Sequence, residues 1–255
     1  MTRSTTRNAG RALPRTAVTA ALAAALLGGA PAAGAAPGPA GDGGWKGEGL
    51  SLDARQNEAA DAYLERARTA ERSISPQVRA AAHISGAELV GFDQRLKSPD
   101  SLKRKVASSL QENPGQSVDA ALARLTDSVR YTLKWDDVRY TEGVHSASSL
   151  LSDWGNDTVK WSNTWHRERA YKGINSGWHA ARSGHPFEVQ FHTPASKRAQ
   201  ETTHKLYEEQ RLPSTPPERV RELERQQGEI FAAVPVPEGA RELRAPGAPV
   251  PQPAP

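Results

Sequence analysis

Cysteine is absent from the 255 residues, which excludes disulfides, thiol nucleophiles, Cys-zinc sites and iron–sulfur clusters. Exported proteins need disulfides mainly when they are too small to build a core, and roughly 190 ordered residues are enough to manage without them. Long apolar runs are scarce as well. The longest, Thr16 to Leu27, is too short to span a bilayer. An excess of one charge is also missing from the working part of the chain. The formal net charge of +4 comes from 33 basic and 29 acidic residues, but Arg3, Arg7, Arg11 and Arg15 all lie in the first 35. Without those four the balance is zero, so the composition does not describe a general nucleic-acid binder. Any positive site must be a local patch.

What is present begins with a basic head, an apolar stretch and an A-x-A sequence at Ala33-Gly34-Ala35. That order predicts a cleavable secretory signal over 1–35 and a protein that works outside the cytoplasm. With no Arg-Arg pair in the head, the general export route is expected. Residues 36–50 are Gly/Pro-rich and read as a flexible leader. Residues 234–255, dominated by Pro, Ala and Gly, read as an unpacked tail. One domain is expected over 51–233, with its core in 91–211.

Its first part reads as helical. Ser51 is placed to cap a helix to about Arg72, and Ser75-Pro76 to open a second ending near Leu89. Ser98-Pro99 and Ser117 open two more. The period then changes to two: Val129, Tyr131, Leu133 and Trp135 alternate with Ser128, Arg130, Thr132 and Lys134. A helix over 140–154 and a strand over 158–164 follow. Strands over 173–180 and 186–193 flank a short Gly-containing turn, which predicts a hairpin. Helices over 195–211 and 217–231 close the domain. The pattern predicts an α/β or α+β fold, a mixed sheet flanked by helices behind a helical N-terminal part.

Four stretches carry candidate chemistry. In PFEVQFHT, Glu188, Gln190 and His192 share one face of a strand while Phe187, Val189 and Phe191 fill the other. On alternation alone, a solvated polar face is as good a reading as a functional one. Arg95 and Lys97 precede a helix start, and Ser101 and Lys105 lie four apart on one face of that helix, a set suited to a polyphosphate. Asp127 opens the alternating strand, where a carboxylate can hold Mg²⁺. Tyr171, with Arg167 and Arg169 upstream, suits base stacking beside cations. Each has an ordinary structural explanation when taken singly.

In this order the four stretches resemble the synthetase domain of the RelA/SpoT-type alarmone synthetases, from about Gly91 to Arg211. The family pattern R-x-K-x-x-x-S-x-x-x-K is present as Arg95, Lys97, Ser101 and Lys105, which the resemblance implies bind the phosphates of ATP. Asp127 matches the family's metal-binding aspartate, and Lys160 and Arg167 its basic stretch. Tyr171 matches the base-stacking tyrosine of Y-x-x-I-H, and Glu188, Gln190, His192 and Thr193 match E-x-Q-x-R-T. The histidine of the first motif is Asn175 here, and the arginine of the second is His192. These variants look like a secreted bacterial branch that includes extracellular ATP:nucleotide 3′-pyrophosphokinases and toxin domains.

The resemblance implies a nucleotidyltransferase-like synthetase fold and an enzyme that moves the terminal diphosphate of ATP to the 3′-hydroxyl of a purine nucleotide, releasing AMP. It implies Arg95, Asp127 and Glu188 as catalytic, and Asp127 and Glu188 as ligands of the cofactor Mg²⁺. Glu188 is also a candidate proton acceptor. Tyr171, Asn175, Gln190, Lys160, Arg167 and His192 would serve the acceptor. The expected partners are ATP and the acceptor nucleotide, with no nucleic acid, membrane or protein. Alternatives are an ATP-depleting toxin, a nuclease using His179, His185 and His192, and a non-catalytic nucleotide-binding module.

Overall fold

The structure, a computed structural model, describes residues 43 to 247 apart from 211 and 213. The expected signal sequence and the last eight residues of the tail lie outside them. Strands β1 (Trp45–Gly47) and β2 (Leu50–Leu52) form a small hairpin, and helix α1 (Ala54–Ser85) follows. Strand β3 (Glu88–Val90), α2 (Pro99–Glu112) and α3 (Val118–Ala123) lead into β4 (Arg130–Lys134) and α4 (Asp137–Asp153). Then come β5 (Asp157–Asn163), β6 (Ile174–His179), β7 (Pro186–His192), α5 (Pro194–Gln210) and α6 (Pro217–Ala232). The main sheet has five strands in the order β3-β4-β7-β6-β5, with β4 and β7 parallel at its centre and the other pairs antiparallel. This is the mixed sheet flanked by helices that the period changes predict.

The period of two decides which face is covered. Tyr131 and Leu133 lie level with Val189 and Phe191, and Ile174 and Trp178 level with Phe191 and Phe187, so one face is apolar across three strands. Ile74 and Val78 of α1 and Tyr140, Val144 and Leu151 of α4 bury it. Gly143 lets α4 lie against Trp135, since a Cβ there would fall 2.3 Å from the indole nitrogen. A second cluster joins the N-terminal half of α1 to Leu102 and Val106 of α2, Leu122 of α3 and Leu52 of the hairpin. It fixes α2 beside the entrance of β4.

Three expectations are corrected. The predicted break before Pro76 does not occur: α1 is one helix of 32 residues, capped by Asp53 in a capping box with Gln56 rather than by Ser51. Ser75 instead turns inward to Glu71 and Tyr131, and burial of Ile74 and Val78 on either side carries the helix through the proline. The leader expected over 36–50 contains most of the β1–β2 hairpin, whose Trp45 indole donates to Asp100 at 3.1 Å. The tail expected over 234–255 packs as far as it is described. Val234 and Ala240 are buried, and Asn163 donates to the carbonyls of Ala240 and Leu243 at 2.8 and 3.1 Å.

Candidate active site on the polar face of the sheet

The opposite face of the sheet is polar, and the register brings its residues together. Arg130 lies level with Glu188, Thr132 with Gln190 and Lys134 with His192. Across the other edge, Gly177 faces Glu188 and Asn175 faces Gln190. Lys160 of β5 lies opposite Gly177, where an added Cβ would be 3.2 Å from Lys160 Cβ and 3.2 Å from Thr126 Cγ2. The glycine thus leaves the place beside Glu188 without a side chain.

Asp127 enters from the loop just before β4. Its Oδ2 accepts from Lys97 Nζ at 3.0 Å and from Lys105 Nζ at 2.9 Å. Lys97 reaches it because its own N–H donates to the Ser128 carbonyl, extending the strand pairing begun at Leu96 and Val129. Lys105 reaches it from one turn beyond Ser101 on α2, whose start Ser98 caps. Burial disfavours ionisation of Asp127, but Lys105 and Lys97 outweigh it and hold the carboxyl well below the usual range. Its other oxygen, Oδ1, is buried without a partner.

Glu188 is 5% exposed, and its environment acts in the opposite sense. Burial and the negative charge of Asp127 push its carboxyl above the usual range, against the pull of Arg130 and a 2.7 Å hydrogen bond from Gln190 Nε2. Two carboxyls with opposed shifts, each acting on the other, therefore lie near the two lysines held by Asp127. Such a separation recurs at acid–base and metal sites, although buried ion pairs such as Lys97–Asp127 shift carboxyls as well.

On the same face, Tyr171 donates its hydroxyl to Asn175 Oδ1 at 2.8 Å, and that hydroxyl also lies 2.8 Å from His192 Nε2. His192 Nδ1 is 2.9 Å from Ser196 Oγ. Burial, Lys197 and Arg130 lower the imidazole to about 3, so His192 is neutral at physiological pH. His192, expected to serve the acceptor, is here a neutral hydrogen-bond bridge between Tyr171 and Ser196. The Tyr171 ring meets His192 and Phe231 edge-on, with centroids 5.5 and 5.9 Å apart. The ring is 8% exposed, so a base can stack on it only after its neighbours shift.

The structure thus brings together Lys97, Lys105, Asp127, Glu188, Gln190, Asn175, Tyr171 and His192. Arg95 is directed elsewhere: its Nε donates to Glu71 at 2.5 Å and its guanidinium lies over the Phe92 ring. Ser101 is occupied with the Ser98 hydroxyl. Lys160 is exposed at the rim, and Arg167 is exposed in the loop between β5 and β6, where its carbonyl accepts from Lys172. Sequence reasoning missed Arg130, Gly177 and Glu71. Arg130 was legible from its alternation with Tyr131, whereas Gly177 and Glu71 gain meaning only from their neighbours.

The histidines of the nuclease alternative are not assembled. His179 is level with Pro186 at one end of β7 and His192 is at the other, six residues or about 20 Å away. His185, lowered to about 4 by burial and Arg66, bonds to Ser128 instead. Among the described residues no cluster of three or more histidine or acidic side chains is placed to hold a metal. Two carboxylates with an unpartnered buried oxygen nonetheless suit magnesium, which takes few protein ligands and completes its shell with water and phosphate oxygens.

Fold and site together define an α+β protein with a paired-carboxylate, two-lysine centre on the polar face of a mixed sheet. No protein-family model matches the chain, and no curated protein does. Solved structures do. The type VI effector Tas1, in complex with its immunity protein, is 17% identical over 69% of this chain and 96% of its own, with a TM-score of 0.47. The small alarmone synthetase 1 from Bacillus subtilis, bound to its product pppGpp, is 13% identical over 68% of this chain and 91% of its own, with a TM-score of 0.48. A GTP pyrophosphokinase family protein from Streptococcus pneumoniae is 14% identical over 70% and 89%, with a TM-score of 0.46.

Proposed function

We propose that the chain is a secreted ATP:nucleotide 3′-pyrophosphokinase of the RelA/SpoT type, which transfers the β,γ-diphosphate of ATP to the 3′-hydroxyl of a purine nucleotide. The observation that carries this reading is the opposed pair of carboxyls: Asp127 held ionised by Lys97 and Lys105, and buried Glu188 raised beside it. The motif order of the sequence supports the same reaction.

In this reading Lys97 and Lys105 turn from Asp127 to the phosphates of ATP, and Ser101 adds a neutral donor from the same helix. Arg95 joins them by leaving Glu71, which then keeps its hydrogen bond from Ser75. Asp127 Oδ1 and Glu188 would hold Mg²⁺, which supplies neutralisation of phosphate charge when bound. Glu188 is also the group placed to take the proton of the attacking 3′-hydroxyl: its raised basicity favours that role, whereas a cation on the carboxyl opposes it, so the two roles compete. Gln190 fixes the Glu188 carboxylate through their 2.7 Å hydrogen bond. Attack of the 3′-oxygen on the β-phosphorus forms one P–O bond and breaks the bond to the α-phosphate oxygen, so AMP leaves. Tyr171 and Asn175 hold the acceptor base, while Lys160 and Arg167 border the entrance. Export follows from the N-terminal signal, and sequencing the N-terminus of the released protein checks cleavage near Ala35.

Mature protein mixed with ATP, a second purine nucleotide and Mg²⁺, with products identified by mass spectrometry, tests the reaction. Equal yields of AMP and an acceptor heavier by a diphosphate are expected. ATP bound without AMP release would instead leave a non-catalytic nucleotide-binding module.

A further inference from the structure

The polar face carries a second cationic cluster, on the side of Glu188 away from Lys97 and Lys105. Lys197 lies in the first turn of α5 and is 4% exposed. Its Nζ donates to Gln200 Oε1 at 2.7 Å, and its nearest carboxylate is Glu201 at 3.5 Å, whose side chain is half exposed. The Gln200 amide nitrogen, Nε2, is buried without an acceptor. Arg130 and Lys134 project from β4 on the same face as His192, and both act on Lys197: after burial, and against the pull of Glu201, they lower its affinity for a proton. Lys134 is paired with the exposed Glu88 at 2.9 Å. A buried lysine and an unsatisfied donor thus meet where the nearest acid, Glu201, is half exposed. A buried donor without an acceptor costs about 1–3 kcal/mol, which the protein recovers if an anion binds there.

We propose that Lys197 and Gln200 form a phosphate-binding subsite that reads the 5′-phosphate of the acceptor nucleotide. This rests on the reading of Glu188 as the group that meets the 3′-hydroxyl. Toward α5, Lys134 is level with His192, whose Nδ1 is 2.9 Å from Ser196 Oγ, next to Lys197 in the chain. A nucleotide with its 3′-oxygen at Glu188 would turn its 5′-phosphate to that side. Tyr171 and Asn175 lie alongside for the base. No residue of α5 was singled out from sequence, because Lys197 acquires its surroundings only when the helix folds back over the sheet.

The test compares AMP with adenosine, by calorimetric binding to the protein without ATP and as acceptors at saturating ATP. Wild type is expected to prefer AMP. Lys197→Met keeps the aliphatic stem in its buried setting and should cut that preference at least tenfold, since a hydrogen bond to a charged group is worth about 1.5–3 kcal/mol. Gln200→Leu should act in the same direction, and Lys197→Arg should restore much of the preference. An unchanged AMP-to-adenosine ratio in both Lys197→Met and Gln200→Leu overturns the subsite. So does a variant effect confined to the KM for ATP, which would assign the anion to the donor. Absence of transfer by wild type to either acceptor counts against the pyrophosphokinase reading, and the binding ratio still decides the subsite.

Discussion

At the scale of single residues, the centre depends on two carboxyls of the same chemistry behaving oppositely. Glu188 must be ionised to accept a proton, and burial with Asp127 raises it. At low Mg²⁺ the acid limb of kcat/KM should lie above the ordinary glutamate value of about 4.3, and saturating Mg²⁺ should move it down, since a cation lowers the basicity of the carboxyl that holds it. A profile flat down to that value at low Mg²⁺ would remove Glu188 as the base, and a limb that ignores Mg²⁺ would remove it as a ligand. Glu188→Gln should abolish turnover while the protein stays folded by circular dichroism. Asp127 is the converse case. A carboxyl whose folded value is depressed stabilises the protein above its unfolded value of about 3.9, and loses that contribution as pH falls through the folded one. Asp127→Asn should thus make acid unfolding less steep. It also strips buried Lys97 of its carboxylate, a change worth about 3–5 kcal/mol in comparable cases. Thermal denaturation at pH 7 should show a clear loss, whereas an unchanged Tm would mean that the Lys97–Asp127 pair contributes little.

At the scale of elements, a few close approaches set where the site can form. Helix α4 lies on the apolar face because Gly143 has no side chain against Trp135, whose indole donates to the Ser85 carbonyl at the end of α1. Alanine is ordinarily the better helix residue by about 1 kcal/mol. Here Gly143→Ala should destabilise instead, by about 1–3 kcal/mol, because the indole has to shift. Urea denaturation gives the sign directly. The same scale explains which predicted elements differed. Pro76 reads as a break in isolation, but burial of Ile74 and Val78 against the sheet and α4 holds α1 together. Strand β3 has three residues and no period to detect, and exists because β4 offers it an edge.

At the scale of the molecule, the chain beyond α6 closes the structure. Its backbone supplies acceptors to Asn163 and Trp161 of β5, and Glu238 accepts from Thr141 of α4. A chain ending at residue 233 loses these and the burial of Val234 and Ala240. It should be less stable by about 2 kcal/mol or more, read as a lower urea midpoint with turnover retained at low temperature. Equal midpoints would show that this segment only rests on the surface.

The sequence alone determined the strands whose faces differ in polarity, the capped helices, and the residue types of the centre. Each of these is encoded within a few neighbours: the alternation of Phe187 to His192, the Ser98-Pro99 start of α2, the four-residue step from Ser101 to Lys105. Tertiary structure alone decided which polar groups meet. It set Arg95 on Glu71 rather than beside Lys97, packed Phe231 against Tyr171, and brought Lys197 to Gln200. Charge and burial act through space between residues distant in the chain, and periodicity along a segment does not carry that information.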